Sequence, residues 1–157
     1  MTPIYQTSTY IQQGLGKHKG YEYARTQNPT REAWERCVAS LEGATHGFAF
    51  ASGLASLDTM LKLLRAGDHV ISGENVYGGS HRLMERVYAE LGLKFTFVDM
   101  RDIRNVESAV TPATKLLYLS NPNNPTGAVF SESAMRRIAD RCEQTGTQHS
   151  GRVDLID

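Results

Sequence analysis

Cysteine is almost missing from this sequence: Cys37 and Cys142 are the only two among 157 residues. Neither belongs to a C-x-x-C pair, so there is no disulfide framework and no cysteine-built metal knuckle. Both fall in helix-like patterns and are expected as free, buried thiols, which suits a reducing, cytoplasmic setting. The histidines, at 18, 46, 69, 81 and 149, are scattered and form no H-x-x-x-H, so a metal site has no ligand set to build on. Charge of one sign is not in excess, with 17 Lys plus Arg against 17 Asp plus Glu. No field exists to steer nucleic acid, polyphosphate or a membrane surface. No apolar run reaches the length of a membrane span, about 18 residues. The opening "MTPIYQTSTY" lacks the basic and apolar regions of a signal peptide. Both G-x-G-x-x-G and G-x-x-x-x-G-K-[ST] are absent, which argues against an ordinary nucleotide-binding domain.

What is present reads as one α/β unit of single-domain length. Residues 1–20 read as an extended arm ending in a flexible Gly-rich loop, "QQGLGKHKG". Thr30 is expected to cap a helix over Arg31–Leu41, with Trp34, Cys37, Val38 and Leu41 on one face. "GFAFAS" has strand length, and Leu54, Leu57, Leu61 and Leu64 form a helical stripe stopped by Gly67. "HVIS" is a buried strand, followed by a helix with Leu83, Val87 and Leu91 on its apolar face. "KFTFVD", "IRNVESAV", "KLLYLS" and "SESAMRRIADRCEQTG" continue as strand, helix, strand and Ser-capped helix. There is no internal repeat and no low-complexity tract. This alternation predicts parallel βαβ units, a mostly parallel sheet flanked by helices. Ligands in such sheets collect beyond the carboxyl ends of the strands.

Three segments are read as following strands. "FAFASGLAS" turns into a helix at Ser52-Gly53, where unpaired backbone N–H groups and the positive end of the helix dipole offer an anion seat. A serine N-cap with a tight-turn glycine accounts for the same residues. "ENVYGGSHR" sets Tyr77 before two glycines, where the ring can lie against a planar ligand or simply sit half-buried beside a turn. "LSNPNNPTG" carries Asn121, Asn123 and Asn124 on a proline-stiffened loop, suited to holding a ligand hydroxyl or to making a turn-rich connection. All three are expected at one edge of the sheet, which makes independent decoration a poor account of them.

"YEYARTQNPTRE", "FAFASGLASLD", "VYGGSHRL" and "NPNNPTG" resemble, in order and spacing from about Pro3 to Gly146, the Cys/Met-metabolism family of pyridoxal-phosphate (PLP) enzymes. The family includes cystathionine γ-synthase, cystathionine γ-lyase and methionine γ-lyase. "NPNNPTG" departs from the family's usual T-N-P. The resemblance implies fold type I of the PLP-dependent transferases, here a partial large domain. It implies a homo-oligomer, in which Tyr23 and Arg25 reach the coenzyme phosphate of a neighbouring subunit. It also implies that Ser52, Gly53 and Leu54 give that phosphate its helix-end contacts. Tyr77 would stack on the pyridine ring and is the one catalytic candidate, and Asn124 would sit near the phenolic oxygen. The implied chemistry is γ-elimination or γ-replacement on small sulfur amino acids of transsulfuration, with nucleic acid and membrane playing no part.

The resemblance stops short at the back of the chain. PLP enzymes need a lysine to hold the coenzyme aldehyde and an acid against the pyridine nitrogen. The family carries them in S-x-T-K and V-D-N-T motifs, and neither occurs here. Asp154 follows a valine but comes late and lacks the Asn-Thr. Lys115 opens a strand, at the wrong edge. The five lysines, at 17, 19, 62, 94 and 115, include no good candidate. The expectation is therefore the front portion of a longer enzyme, inactive alone: an extended arm with the phosphate clamp at 1–27, a partial PLP-binding domain at 28–146, and an atypical tail at 147–157 of the kind a shifted reading frame produces. The alternative is a non-catalytic remnant or dimerisation module of the same fold.

Overall fold

A computed structural model describes residues 2–124 and 126–144. The 147–157 tail and Asp154 lie outside them, as does the side chain of Cys142. The chain divides into two compact units, Met1–Ala51 and Ser52–Asp157.

In the first unit, β1 (Gln12–Gly14) pairs antiparallel with β2 (Lys17–His18). The expected flexible loop is thus a hairpin, turned at Leu15-Gly16, where Gly16 takes a left-handed φ of 67° that glycine adopts without steric cost. Helix α1 spans Pro29–Leu41 and is capped by Asn28, not Thr30. Asn28 Oδ1 accepts from the backbone N–H groups of Thr30 (2.9 Å) and Arg31 (3.2 Å), and Pro29 takes the first helical position, where no N–H is needed. Thr30 is used differently: its hydroxyl donates to the Pro3 carbonyl (2.9 Å) and accepts from the Tyr5 N–H (2.9 Å). The predicted apolar face of α1 is largely uncovered within this chain. Trp34, Cys37 and Leu41 are exposed, so Cys37 is a free but not a buried thiol.

"GFAFAS" is not a strand. Its backbone is taken up by α1 instead: the Ala49 N–H donates to Glu35 Oε1 (3.0 Å). Gly47 lies so close to α1 that a Cβ there would come within 2.3 Å of the Glu35 carbonyl oxygen.

The second unit is built on three parallel strands in the order β4-β3-β5. They are β3 (His69–Gly73), β4 (Lys94–Val98) and β5 (Thr114–Tyr118). The register runs from His69↔Lys94 to Gly73↔Val98 on one side and from His69↔Thr114 to Ser72↔Tyr118 on the other. Around them lie α2 (Gly53–Leu61), α3 (Gly78–Leu83) running into a π-helical turn (Met84–Tyr88), α4 (Ile103–Ala109) and α5 (Glu132–Gln144). The α/β class, the parallel sheet and the flanking helices agree with the sequence reading. Helix α2 ends at Leu61, before the expected Gly67 stop.

The core gathers Leu57 and Leu61 of α2, Val70 of the central strand, Met84 and Tyr88 of the π turn, and Leu93. The apolar face expected after Tyr77 holds only in part, with Leu83 partly buried against the core. Val87 and Leu91 are exposed, while Ser80, Met84 and Tyr88 are buried. The cause is the π turn, in which the Ala89 N–H reaches back five residues to the Met84 carbonyl (2.9 Å) and re-aims the side chains.

At the amino ends of the strands, His69 is buried between two hydroxyls. Its Nδ1 lies 2.8 Å from Thr114 Oγ1 and its Nε2 lies 2.8 Å from Thr96 Oγ1, tying the central strand to both neighbours.

Candidate functional site

Tyr23 and Arg25 sit on a tight turn of the first unit. The Tyr23 carbonyl accepts from the N–H groups of Thr26 (3.0 Å) and Gln27 (2.9 Å) and from the Thr26 hydroxyl (2.8 Å). The Ala24 N–H donates to the Ser8 carbonyl (2.8 Å). From α1, the Arg31 guanidinium donates to the carbonyls of Ala24 (3.4 Å) and Thr26 (2.7 Å). Two arginines thus divide the work. Arg31 holds the turn, and Arg25 lies over the Tyr23 ring, 5.1 Å from its centroid, with both Arg25 and Tyr23 exposed. A cation–π contact at an exposed position of this kind is worth about 0.5–1 kcal/mol.

In the second unit, Ser52 caps α2 from extended backbone, at φ −163° and ψ 159°. Its Oγ accepts from the Ala55 N–H (3.1 Å) and its carbonyl from the Ser56 N–H (3.1 Å). The Gly53 and Leu54 N–H groups are left at the helix mouth, where partial positive charge collects. Ser52 and Leu54 line a shallow depression of about 270 Å³ with Ala55, Asp58 and Leu83. Asp58 is held ionised below its usual range by the Lys62 ammonium and by the Tyr88 hydroxyl.

Tyr77 follows β3 and precedes α3, with its ring mostly exposed. Its ring edge rests over Gly79: a Cβ on Gly79 would meet Tyr77 Cε1 at 2.5 Å. The second glycine of "YGG" is therefore a seat for the tyrosine ring. The asparagine loop follows β5 and closes on itself. Asn121 Oδ1 accepts from the Phe130 N–H (3.0 Å), and Asn123 Nδ2 donates to the Thr126 hydroxyl (2.9 Å). The Asn123 carbonyl accepts from the Gly127 N–H (2.7 Å). Asn124 takes part in none of these bonds and stands exposed.

Two of the three sequence segments, those of Tyr77 and of Asn124, thus follow strands of the sheet. The third, at Ser52, does not, because residues 47–50 form no strand. Among the described residues, no group of three or more His, Cys, Asp or Glu could hold a metal ion, and no helix is long and apolar enough to cross a membrane.

Within the second unit, a capped helix mouth, an exposed ring on a glycine seat and a self-closed asparagine loop are the kinds of group that suit a phosphorylated aromatic ligand. The sequence pattern of the Cys/Met metabolism PLP-dependent enzymes matches residues 1–147. The chain belongs to that family. It is 51% identical over 139 residues to a probable cystathionine γ-synthase of Herpetosiphon aurantiacus and 53% identical over 140 residues to a cystathionine β-lyase of Coxiella burnetii. Each alignment covers 88% of this chain but only 44% and 36% of the relative. Among solved structures, a cystathionine γ-lyase from Lactobacillus plantarum complexed with L-serine matches at a TM-score of 0.78 and 47% identity. A metB protein of Corynebacterium glutamicum matches at 0.82 and 38%. These cover 88% and 92% of this chain, and 36% and 37% of theirs. The chain therefore spans less than half the length of each of these relatives.

The family's coenzyme is pyridoxal 5′-phosphate, and the residues present fit it in kind. An open helix mouth is of a kind to take a phosphate, and an exposed tyrosine ring of a kind to face a pyridine. Sequence reasoning missed three supporting residues. Asn28 gave a signal, as an Asx residue before Pro at a helix start. Gly79 gave a weaker one, as the second glycine after an aromatic. Arg31 gave none, since its partners are backbone carbonyls that no side-chain pattern announces.

Proposed function

We propose that this chain carries the phosphate-holding and ring-facing part of a PLP enzyme acting on cystathionine-type sulfur amino acids, by γ-replacement or γ-elimination. Tyr23 and Arg25, on an arm through residue 27, serve as a phosphate clamp for the neighbouring copy in a homo-oligomer. In the body at 28–146, Ser52, Gly53 and Leu54 hold the phosphate, Tyr77 faces the ring and Asn124 its phenolic oxygen. The coenzyme, when bound, supplies the sink for the electrons released at the substrate's Cα. The observation that carries this reading is the Tyr77 ring seated on Gly79 in the same unit as the open mouth of α2. A β-elimination is the second reading, favoured by the 53% identity to a protein named cystathionine β-lyase. The setting we propose is cytoplasmic.

The lysines support the view that these residues alone turn over no substrate. Lys17 and Lys19 are exposed on and beside the hairpin, and Lys62 is paired with Asp58. Lys94 and Lys115 lie at the amino ends of β4 and β5. Tyr77 and Asn124 follow carboxyl ends, and the two ends of a five-residue parallel strand lie about 13 Å apart. The test is titration of the purified chain with pyridoxal phosphate, then borohydride reduction and mass analysis, with Arg25→Ala and Ser52→Ala beside it. Expected are non-covalent binding weakened by both variants, no stable pyridoxyl-lysine, and no oxo acid from cystathionine. A single lysine adduct with measurable elimination refutes the inactivity. Binding indifferent to both variants refutes the site.

A further inference from the structure

The proposed site takes its phosphate-facing and ring-facing second-unit residues from the starts of α2 and α3, and the parts that fix those two helices to each other have a second use. Tyr88, at the end of the π turn, is 5% exposed. Its hydroxyl lies 2.7 Å from Asp58 Oδ1 and 3.0 Å from the Asp58 carbonyl oxygen, both on α2. Leu57 and Leu61 flank Asp58 on α2 and share the core with Met84 and the Tyr88 ring. Without the π turn, the residues after α3 would present a different face to α2, and the exposure of Val87 and Leu91 shows which face was given up.

Asp58 also lines the depression that Ser52 and Leu54 border. An acid on the wall of an anion seat is a cost through like-charge repulsion. Here its other oxygen, Oδ2, is engaged by Lys62 Nζ, so both oxygens are occupied and the charge is matched. The carboxylate is therefore arranged as an anchor.

We propose that the Tyr88–Asp58 pair is a positioning latch: the tyrosine hydroxyl fixes the pitch and depth of α2, so that its mouth meets the coenzyme phosphate. This rests on the reading of that mouth as the phosphate seat. Tyr88 and Asp58 are positioning residues and touch no reacting atom.

The test compares dissociation constants for pyridoxal 5′-phosphate and pyridoxal, which differ only in the group the latch is held to serve. Wild type is expected to prefer the phosphorylated form, and Ser52→Ala to lose part of that preference. Tyr88→Phe keeps the ring in the core and is expected to lower the preference about three- to tenfold, the scale of one lost hydrogen bond to a charged group, with pyridoxal affinity unchanged. Asp58→Asn removes the charge but keeps an Oδ1 acceptor, so it should retain the preference, which a purely electrostatic role would not allow. A folded Tyr88→Phe with undiminished preference overturns the latch. If that variant shows no cooperative melt, Asp58→Ala, which leaves the core ring in place, decides: an undiminished preference again overturns it. If wild type shows no preference, or Ser52→Ala keeps it in full, the phosphate seat itself is wrong and the latch falls with it.

Discussion

Gly79→Ala is a perturbation whose effects on stability and on ligand binding should point in opposite directions. Gly79 is the second residue of α3. Replacing a helical glycine by alanine removes backbone freedom from the unfolded chain, worth about 0.5–1 kcal/mol. In a chain of this size that corresponds to a rise in Tm of about 1–4 °C. Against it stands the new methyl group, which would meet Tyr77 Cε1 at 2.5 Å, Cδ1 at 3.1 Å and Cζ at 3.3 Å. The obstacle is a side-chain ring that is 73% exposed, so it swings outward and forfeits only a few dispersion contacts of about 0.1–0.2 kcal/mol each. The net expectation is a chain as stable as wild type or slightly more so.

The ring, however, must move by about 1 Å to restore ordinary contact. If Tyr77 stacks on the coenzyme, that displacement forfeits much of a ring–ring contact worth about 0.5–1.5 kcal/mol, or a factor of about two to ten in Kd. The assay pairs a thermal melt followed by circular dichroism with an absorbance titration by pyridoxal phosphate. It is repeated in a Tyr77→Ala background, where Gly79→Ala should cost no further affinity, because the two act through one ring. A fall in Tm would mean that the methyl group strikes something firmer than a surface ring. Unchanged affinity, or an equal loss in the Tyr77→Ala background, would refute the claim that Gly79 works by seating Tyr77.

Two hydrogen-bonded residues outside the site, His69 and Asn28, give further expected outcomes. Burial, and secondarily the Lys94 charge, push the His69 pKa below its ordinary value. The unfolded chain therefore binds the proton more readily, so this group's contribution is complete above about pH 6.5 and is lost as pH falls through the lowered folded value. Melts from pH 7.5 downward should show Tm decreasing below about pH 6.5, with a shallower decrease in His69→Gln; an identical slope in that variant would rule the histidine out. Asn28→Ala removes the cap of α1 and the donor to the Tyr5 carbonyl (3.0 Å). It should cost about 1–2 kcal/mol, read as a lower urea midpoint at unchanged m-value, whereas Thr30→Ala, which spares the cap, should cost less.

Those residues also show where the sequence speaks for itself. The strands at His69–Gly73, Lys94–Val98 and Thr114–Tyr118 were readable because short apolar runs between Gly-marked joints have few other ways to pair their backbone. Ser52 was readable as a cap because hydroxyl, glycine and apolar stripe coincide. "GFAFAS" failed as a strand for a tertiary reason. Its apolar content suits a sheet, but Glu35 of α1 offers the Ala49 N–H a side-chain acceptor, and Gly47 lets the backbone come too close to α1 for anything but glycine. The apolar face after Tyr77 was misplaced because a 3.6-residue period cannot register a π turn. Thr30 was preferred to Asn28 because both are good cap types; Pro29, suited to the first helical position, was the overlooked signal, and the bonds from Asn28 to Tyr5 and Tyr10 add to it.

The candidate site was more legible than the packing around it, and the reason is physical. Each of its parts completes its own hydrogen bonding from residues nearby in sequence or from one adjoining helix. The Tyr23 carbonyl is taken by Thr26 and Gln27, Ser52 closes on Ala55 and Ser56, and Asn121 and Asn123 close their own loop. What remains outward is Arg25, the Gly53 and Leu54 N–H groups, the Tyr77 ring and Asn124. A surface finished in this way is ordered before any ligand arrives, so binding pays little for fixing it. Removal of an outward group should then lower affinity without unfolding the chain, while loss of an inward partner such as Arg31, which holds the Ala24 and Thr26 carbonyls, should also cost stability.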